Sequence, residues 1–206
     1  MGFQTLQHRR FFLLGGLATL LQARTVRAQD SASPTSSDRA PFGLTWGMNS
    51  DGFDQSDEFG SPDLHINVGG RGTKTLRFFD SALPHVPNDT HTVDLHFGYR
   101  NHLFRILVEG KPRKADDATA RYREISSHLS HLYGPGIETD MAQGWFWQDN
   151  SQKLIRYTLF ITDDNSIMLG LGSGYGDDRF WFIDYDHLAG SAEFKEDDKR
   201  RNEDQL

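Results

Sequence analysis

The stretch DATARYREISSHLSHLYGPG, residues 117–136, decides the fold that this sequence predicts. Its apolar residues recur at helical spacing and form one stripe: Tyr122, Ile125, Leu129 and Leu132. Gly134-Pro135-Gly136 follows directly, and a glycine followed by a proline is typical of a helix C-terminus. The sequence therefore predicts an amphipathic helix over Asp117–Tyr133.

Strand-like segments follow this helix. Four runs have the composition and length of strands: Gly144–Gln148, Leu154–Thr162, Ile167–Gly172 and Arg179–Tyr185. Asp163-Asp164-Asn165 marks a turn between the second run and the third. Consecutive strands joined by short turns pair antiparallel, so the helix is predicted to lead into a β-meander.

The first half of the chain repeats this plan. Asn49 or Ser50 can cap a short helix through Phe59, which Gly60-Ser61-Pro62 would end. Four strand-like segments follow: Leu64–Val68, Lys74–Phe79, Thr92–Phe97 and Leu103–Glu109. We predict a duplicated unit, with repeats at residues 41–112 and 113–190. The alternative is a coincidental echo, because glycine and proline end most helices.

The predicted fold class is α+β, with an antiparallel sheet built from two helix-plus-β-meander units and the helices packed on one face. A single domain is expected over residues 41–190. Its consecutive antiparallel strands leave no room for the crossover helices of a nucleotide-binding sheet. Residues 29–40 are Ser-rich and predict a flexible tether, and residues 191–206 are nearly all charged and predict a disordered tail, although the last residues could extend a helix.

The N-terminal segment predicts export. Arg9 and Arg10 precede an apolar run, Phe11–Leu21, and Ala28 supplies a small residue suited to signal peptidase. Residues 1–28 are therefore predicted to be a cleavable signal peptide that delivers the protein to the periplasm. The paired arginines resemble a twin-arginine signal, and a general-secretion signal is the alternative.

Charge and cysteine content exclude several classes of function. The chain has 22 basic and 29 acidic residues, and removal of residues 1–28 takes away four arginines, leaving a net charge near −11. An acidic surface repels phosphate backbones and anionic lipids, so neither a nucleic-acid partner nor a peripheral membrane role is expected. Because the sequence contains no cysteine, it predicts no disulfide, no thiol nucleophile and no lipoprotein anchor.

The layout of the chain also resembles a known fold. The phrase Pro41-Phe42-Gly43-Leu44-Thr45-Trp46-Gly47-Met48, a short helix, a Gly-x-Pro stop and then strands is similar to small exported bacterial proteins. These share the fold of beta-lactamase inhibitory protein and of the small outer-membrane assembly lipoproteins. The resemblance covers Pro41–His187 and implies a binding or assembly role with no catalytic residue. The missing lipobox cysteine departs from the lipoprotein branch.

The second half carries a candidate binding face. Four glycines recur at every second position and share one side of an extended strand: Gly170, Gly172, Gly174 and Gly176. Glycine weakens a strand, so either large neighbours or a ligand should cover this strip. Aromatic residues are dense nearby, and the predicted binding residues are Trp145, Trp147, Trp181, Gly172 and Gly174. At least one of the three tryptophans is expected to face solvent, and core packing of all three is the alternative.

Histidines supply weaker candidates. Glu124, His128 and His131 share one helical stripe at i, i+4 and i+7, which can place three metal ligands together. Since no His-Glu-x-x-His signature is present, an ordinary solvated stripe is the preferred interpretation, and neither metal nor cofactor is expected. Asp94 and His96 project from one side of a strand, with His91 nearby, and form a second weak candidate.

The sequence thus predicts an exported, soluble binding or protein-interaction module without catalytic activity. Its partner, a protein or a small ligand, is not identified by any motif. Two alternatives stay open: an envelope enzyme acting as a metal-assisted hydrolase through the His and Glu side chains, and an inhibitor of a secreted or periplasmic enzyme.

Overall fold

A computed structural model describes residues 38–53, 62–68, 73–80, 83–147, 152–173 and 177–203 of the chain. The described side chains exclude those of residues 64–68, 142–147 and 152. The predicted signal peptide and most of the predicted tether lie outside these ranges, so both stay predictions.

The described chain forms one antiparallel sheet with two α-helices, which confirms the predicted α+β class. The elements run in the order β1 Leu64–Val68, β2 Thr73–Phe79, β3 Thr90–Phe97, β4 Leu103–Gly110, β5 Arg113–Lys114, α1 Ala115–Tyr133, β6 Ile137–Trp147, β7 Gln152–Ile161, β8 Asn165–Ser173, β9 Asp178–His187 and α2 Leu188–Glu203. Short 3-10 turns occur at Pro41–Gly43 and Ser50–Gly52.

The sheet consists of two meanders joined at their last strands. The strand order is β1-β2-β3-β4-β9-β8-β7-β6, and the short β5 pairs with β9 beside this path. Each half is therefore a run of four consecutive antiparallel strands, as the sequence predicts. The Asn49 side chain caps the 3-10 turn Ser50–Gly52 by accepting a hydrogen bond from the Asp51 amide at 2.9 Å. The remainder of the short helix predicted through Phe59 lies outside the described residues.

Helix α1 matches its prediction to within two residues and packs on the sheet. It carries Asp116 and Asp117 in the first turn, where carboxylates suit the positive end of a helix, and it ends at Gly134, whose φ is +85°. Its buried residues are Ala118, Tyr122, Ile125 and Leu129. Burial of each large apolar side chain contributes roughly 1.5–3 kcal/mol, so this stripe holds the helix in place.

One member of the predicted stripe is wrong. Leu132 is 56% exposed, although it continues the i, i+3 spacing from Leu129. An α-helix has 3.6 residues per turn, so a stripe of strict i, i+3 spacing moves gradually around the helix. Tyr133 therefore packs against the core in place of Leu132. Leu132 is left at the rim of the face that α1 covers.

Alternation along β9 distinguishes the two faces of the sheet. Trp181, Ile183 and Tyr185 belong to the main core on the side of α1, and we call this side the α1 face. Asp184 and Asp186 point to the other side, which we call the α2 face because Ser191 of α2 hydrogen-bonds Asp186 there.

The segment before the first meander also covers the α1 face. Leu44, Trp46 and Phe53 are buried, and the Phe53 ring lies 6.0 Å from that of Phe78 and 6.2 Å from that of Phe97. The leading segments of both halves therefore cover the same face, as predicted, whereas α2 packs on the opposite face, outside the predicted packing of the helices on one face.

Helix α2 corrects the prediction of a disordered tail over residues 191–206. The structure describes residues 188–203 as helical, and Phe194 anchors them to the α2 face. Its ring stacks on Phe104 at 4.9 Å and on Tyr99 at 5.4 Å. The high charge density concealed this anchor, because one aromatic residue among many charges gives almost no amphipathic signal.

Charged contacts complete the docking of α2. The Tyr99 hydroxyl donates to Asp198 at 2.5 Å, and the Arg100 guanidinium donates to Asp197 at 2.9 and 3.0 Å. The acidic residues that suggested a solvated tail thus pair with the turn between β3 and β4.

None of the helices in the described residues has both the length and the apolar character needed to cross a membrane.

Candidate binding site

An open groove lies on the α1 face, between α1 and the turn at Pro41–Gly43. We call it the α1 groove; its volume is about 830 Å³. Its lining comprises Pro41, Phe42, His85, Pro87, Arg121, Glu124, Ile125, Ser127, His128, Leu129, His131, Leu132, Tyr133, Ile183 and Tyr185. Four separate parts of the chain therefore meet here: the leading segment, the loop before β3, helix α1 and the end of β9.

The floor of the α1 groove is apolar. Ile125 and Leu129 reach it from the inward side of α1, and Ile183 and Tyr185 reach it from β9. Phe42 closes one end, with its ring edge-on to Tyr185 at 5.9 Å. These groups form the apolar base of the groove, and Leu132, which is 56% exposed, supplies accessible hydrocarbon surface beside them.

Phe42 adopts an unusual backbone conformation. Its φ is +64°, in the left-handed region that bulky side chains rarely enter, at a cost of order 1–3 kcal/mol. Packing of the Phe42 ring against the core offsets this conformational cost. Backbone strain of this kind concentrates at functional sites, and here it sits on the wall of the groove.

Charges at the rim are paired. Arg121 donates to Asp89 at 2.8 Å and lies 2.7 Å from Glu124. Burial acts to raise the pKa of Asp89, but hydrogen bonds from Arg121 and from the indole of Trp181 lower it below the ordinary value. Asp89 is therefore an ionised anchor that fixes Arg121 beside the groove.

The structure brings the predicted histidine stripe into this groove. Glu124, His128 and His131 all line it, and His85 joins them from the loop before β3. The Glu124 carboxylate is engaged by Arg121, however. Among the described residues, no group of three or more His, Asp or Glu side chains is arranged to hold a metal ion.

Trp181 contradicts the predicted binding face. Its side chain is fully buried, and its indole nitrogen donates to Asp89 at 2.9 Å. The ring lies against Gly110, where a Cβ atom would come within 2.2 Å of it. Trp181 cannot face solvent, because β9 pairs with β4 in the middle of the sheet and the core covers that side. The side chains of Trp145 and Trp147 lie outside the described residues, so their exposure stays a prediction.

The described part of the glycine strip, Gly170 and Gly172, is covered from within the chain. A Cβ atom at Gly170 would lie 2.1 Å from the ring of Phe182, and one at Gly172 would lie 2.7 Å from that of Phe180. These are directly opposed cross-strand pairs between β8 and β9. Of the two explanations, covering by large neighbours is correct, with phenylalanines in place of the expected tryptophans. Gly172 is thus a buried packing position and its proposed role in binding is wrong, whereas Gly174 lies outside the described residues.

A second group of polar residues lies on the α2 face. Arg77 binds Asp94 through two hydrogen bonds of 2.6 Å, and Arg105 binds Asp184 through two of 2.7 Å. His96 joins this polar cluster and contacts the Thr75 hydroxyl at 3.1 Å through Nδ1. A pocket of about 420 Å³ separates the cluster from α2.

His96 is an uncharged part of this cluster. Burial, followed by the positive charge of Arg105, lowers the pKa of His96 to about 4. Its Nε2 atom is shut off from solvent and has no hydrogen-bond partner among the described residues. Asp94 and His96 do share one side of β3, as predicted, but Asp94 is occupied by Arg77, and the third member, His91, is exposed beside Phe79. The polar cluster lines the smaller pocket beside α2, and its arginines and aspartates are paired with one another.

Sequence reasoning identified only part of the α1 groove. The stripe at Glu124, His128 and His131 follows from helical spacing alone. Phe42 and His85 come from irregular segments, whose position depends on tertiary packing, and neither belongs to a periodic pattern. A Pro-Phe-Gly turn is the one local signal that pointed to Phe42.

Comparison of the chain with models of known protein families gives no match, and no curated protein or solved structure is significantly similar to it. The resemblance to the fold of beta-lactamase inhibitory protein therefore stays a prediction.

Proposed function

We propose that this protein is an exported, non-catalytic binding module and that the α1 groove is its binding site. The observation that carries the proposal is the groove itself, an open, largely apolar concavity of about 830 Å³. Binding pockets for small molecules span roughly 300–1,000 Å³ and combine an apolar lining with a few polar groups. The groove has both properties.

The polar groups of the groove favour binding over catalysis. A catalytic site needs a base, acid or nucleophile that can act on a bound substrate. Arg121 and Glu124 are paired at the rim, and the arginines and aspartates around His96 on the opposite face are paired with one another. What the groove offers is a hydrophobic surface with imidazoles above it.

A fluorescent apolar probe, anilinonaphthalene sulfonate, tests this assignment. Leu132 lines the groove and is 56% exposed, so Leu132→Asp should leave the fold intact and weaken probe binding several-fold. Ile161 is 63% exposed and does not line the groove, which makes Ile161→Asp the matched control. Equal loss of probe binding in both variants, or its absence in the wild type, would count against the groove.

A metal-assisted hydrolase is the second candidate, because His85, His128 and His131 share one rim with Glu124. A metal at Glu124 would first have to displace Arg121 from its carboxylate. We expect elemental analysis of the purified protein to find no stoichiometric zinc, copper or iron. One tightly held equivalent that disappears in His128→Ala and His131→Ala would favour the hydrolase.

Export is part of the proposal and rests on Arg9, Arg10 and the apolar run that follows. Cell fractionation should find the protein in the periplasm, with its N-terminus near Gln29. Replacement of Arg9 and Arg10 by lysine should block export if the twin-arginine route is used, whereas unchanged export would indicate general secretion. Uncleaved protein in the cytoplasm would contradict the localisation.

A further inference from the structure

We infer that the α1 groove selects an amphipathic carboxylate, with its hydrocarbon chain on the apolar floor and its carboxylate against the imidazoles at the rim. The inference rests on the proposed function, since it names the class of ligand for the same site. Octanoate is the simplest member of this class.

The balance of charge in the groove supports an anionic head group. The mature chain is strongly acidic, with 29 carboxylate side chains, yet Glu124 is the only one that lines the groove among the described residues. Arg121 lies 2.7 Å from it and is shared with Asp89, which Arg113 also binds at 3.1 Å, so two arginines balance the two carboxylates. A bound carboxylate would therefore meet no unpaired acidic group in the described lining.

Donors for that head group are present at the rim. His85, His128 and His131 each carry a ring nitrogen that can donate a hydrogen bond, whichever tautomer is present. His128 and His131 stand at i and i+3 on α1, so their side chains are neighbours on its surface. The three imidazoles have no hydrogen-bond partner within the described part of the chain.

Backbone strain converges on the same place. Phe42 and His85 have φ values of +64° and +63°, and both line the groove from irregular segments. Histidine is one of the residues that tolerates this conformation, but Phe42 is a clear outlier. The fold holds an aromatic wall and an imidazole in unfavourable backbone conformations on the same groove, as expected where placement serves a ligand.

The floor distinguishes an alkyl chain from more polar ligands. Leu132 is 56% exposed and Phe42 and Tyr133 are only partly buried, so these side chains of the lining present hydrocarbon surface, and burial of a methylene group contributes about 0.8 kcal/mol. A sugar or an inorganic anion would leave this surface unused. A purely apolar compound would leave the imidazoles without a partner, so a molecule that combines both properties fits the lining best.

The test compares octanoate with 1-octanol, which have the same chain length and differ in charge at the head group. We expect octanoate to displace anilinonaphthalene sulfonate from the wild-type protein at about tenfold lower concentration than 1-octanol. The double variant His128→Ala with His131→Ala, which removes two of the three donors, should remove this preference and leave 1-octanol unchanged. His91→Ala, at an exposed histidine outside the groove, is the matched control and should keep the preference.

The other outcomes separate this inference from the proposed function. Equal displacement by both compounds, or a preference that survives in the double variant, would overturn the carboxylate assignment and leave a groove that binds apolar ligands. If Leu132→Asp weakens binding of the probe but neither octanoate nor 1-octanol displaces it, the carboxylate assignment is overturned and the proposed binding groove is not. Failure of the wild type to bind the probe at all would contradict both.

Discussion

At the scale of single residues, His96 shows how strongly its surroundings control its protonation. The imidazole lies among two arginine–aspartate pairs and below α2, where burial and Arg105 lower its pKa to about 4. An unfolded histidine has a pKa near 6.5. Between these values, only the unfolded state takes up the proton, so the free energy of unfolding falls as the pH decreases.

We therefore expect the wild type to lose roughly 3 kcal/mol of stability relative to His96→Gln between about pH 7 and pH 4, since one proton contributes at most about 1.4 kcal/mol per pH unit. Burial raises the pKa of Glu109, which has the opposite effect in part of this window, but that contribution is common to both proteins and cancels. Urea unfolding at several pH values measures the difference. Parallel pH profiles would show that His96 is not held neutral.

Gly170 tests the covering of the glycine strip. An added Cβ atom would lie 2.1 Å from the Phe182 ring, so Gly170→Ala must displace that ring and should cost about 1–3 kcal/mol. At Gly98 the nearest atoms are 3.8 Å away, an ordinary contact, so Gly98→Ala serves as the control and should be close to neutral. Equal unfolding midpoints for the two variants would mean that Phe182 does not lie over Gly170.

At the scale of elements, α2 depends on one aromatic side chain. Phe194→Ala removes the ring that stacks on Phe104 and Tyr99, and a partly buried aromatic truncation should cost about 2 kcal/mol. We expect amide hydrogen exchange in residues 188–203 to accelerate while the strands keep their protection. Lys199→Ala, at a position whose side chain is 68% exposed, should leave exchange in α2 unchanged. Uniform acceleration over the sheet would show that α2 is not a separable element.

The elements differ in how far sequence could predict them, and the reason is physical. Helix α1 and the strands of both meanders carry local periodicity, because each buries one face against the sheet. Helix α2 has a single aromatic anchor, the partly buried Phe194, so charge dominates its pattern and the sequence predicts a disordered tail there. The choice of Phe180 and Phe182 over Trp181 as cover for the glycines depends on strand register, which no local pattern determines.

The same distinction applies to the candidate site. Helical spacing correctly places Glu124, His128 and His131 on one side of α1, and the structure puts them in a common groove. It could not predict their neighbours, because Phe42 and His85 reach the groove through turns with positive φ. The prediction that Trp181 belongs to a binding face is wrong, because a high density of aromatic residues does not show which side of a strand is buried.

At the scale of the whole molecule, the two meanders form a continuous sheet whose faces carry different chemistry. The α1 face holds the main core and the open groove, and the α2 face holds the paired charges around His96 beside a smaller apolar cluster. This division allows a ligand to bind on the α1 face without disturbing the ion pairs on the other. We propose that binding occurs in the α1 groove.

Mapping of backbone amide chemical shifts tests that location most directly. Isotope-labelled protein titrated with anilinonaphthalene sulfonate should show its largest shift changes along residues 121–133 and near Phe42, His85 and Tyr185, with small changes around His96. Shift changes concentrated around Ile161 and Phe182, on the opposite face, would contradict the account and place the binding site there.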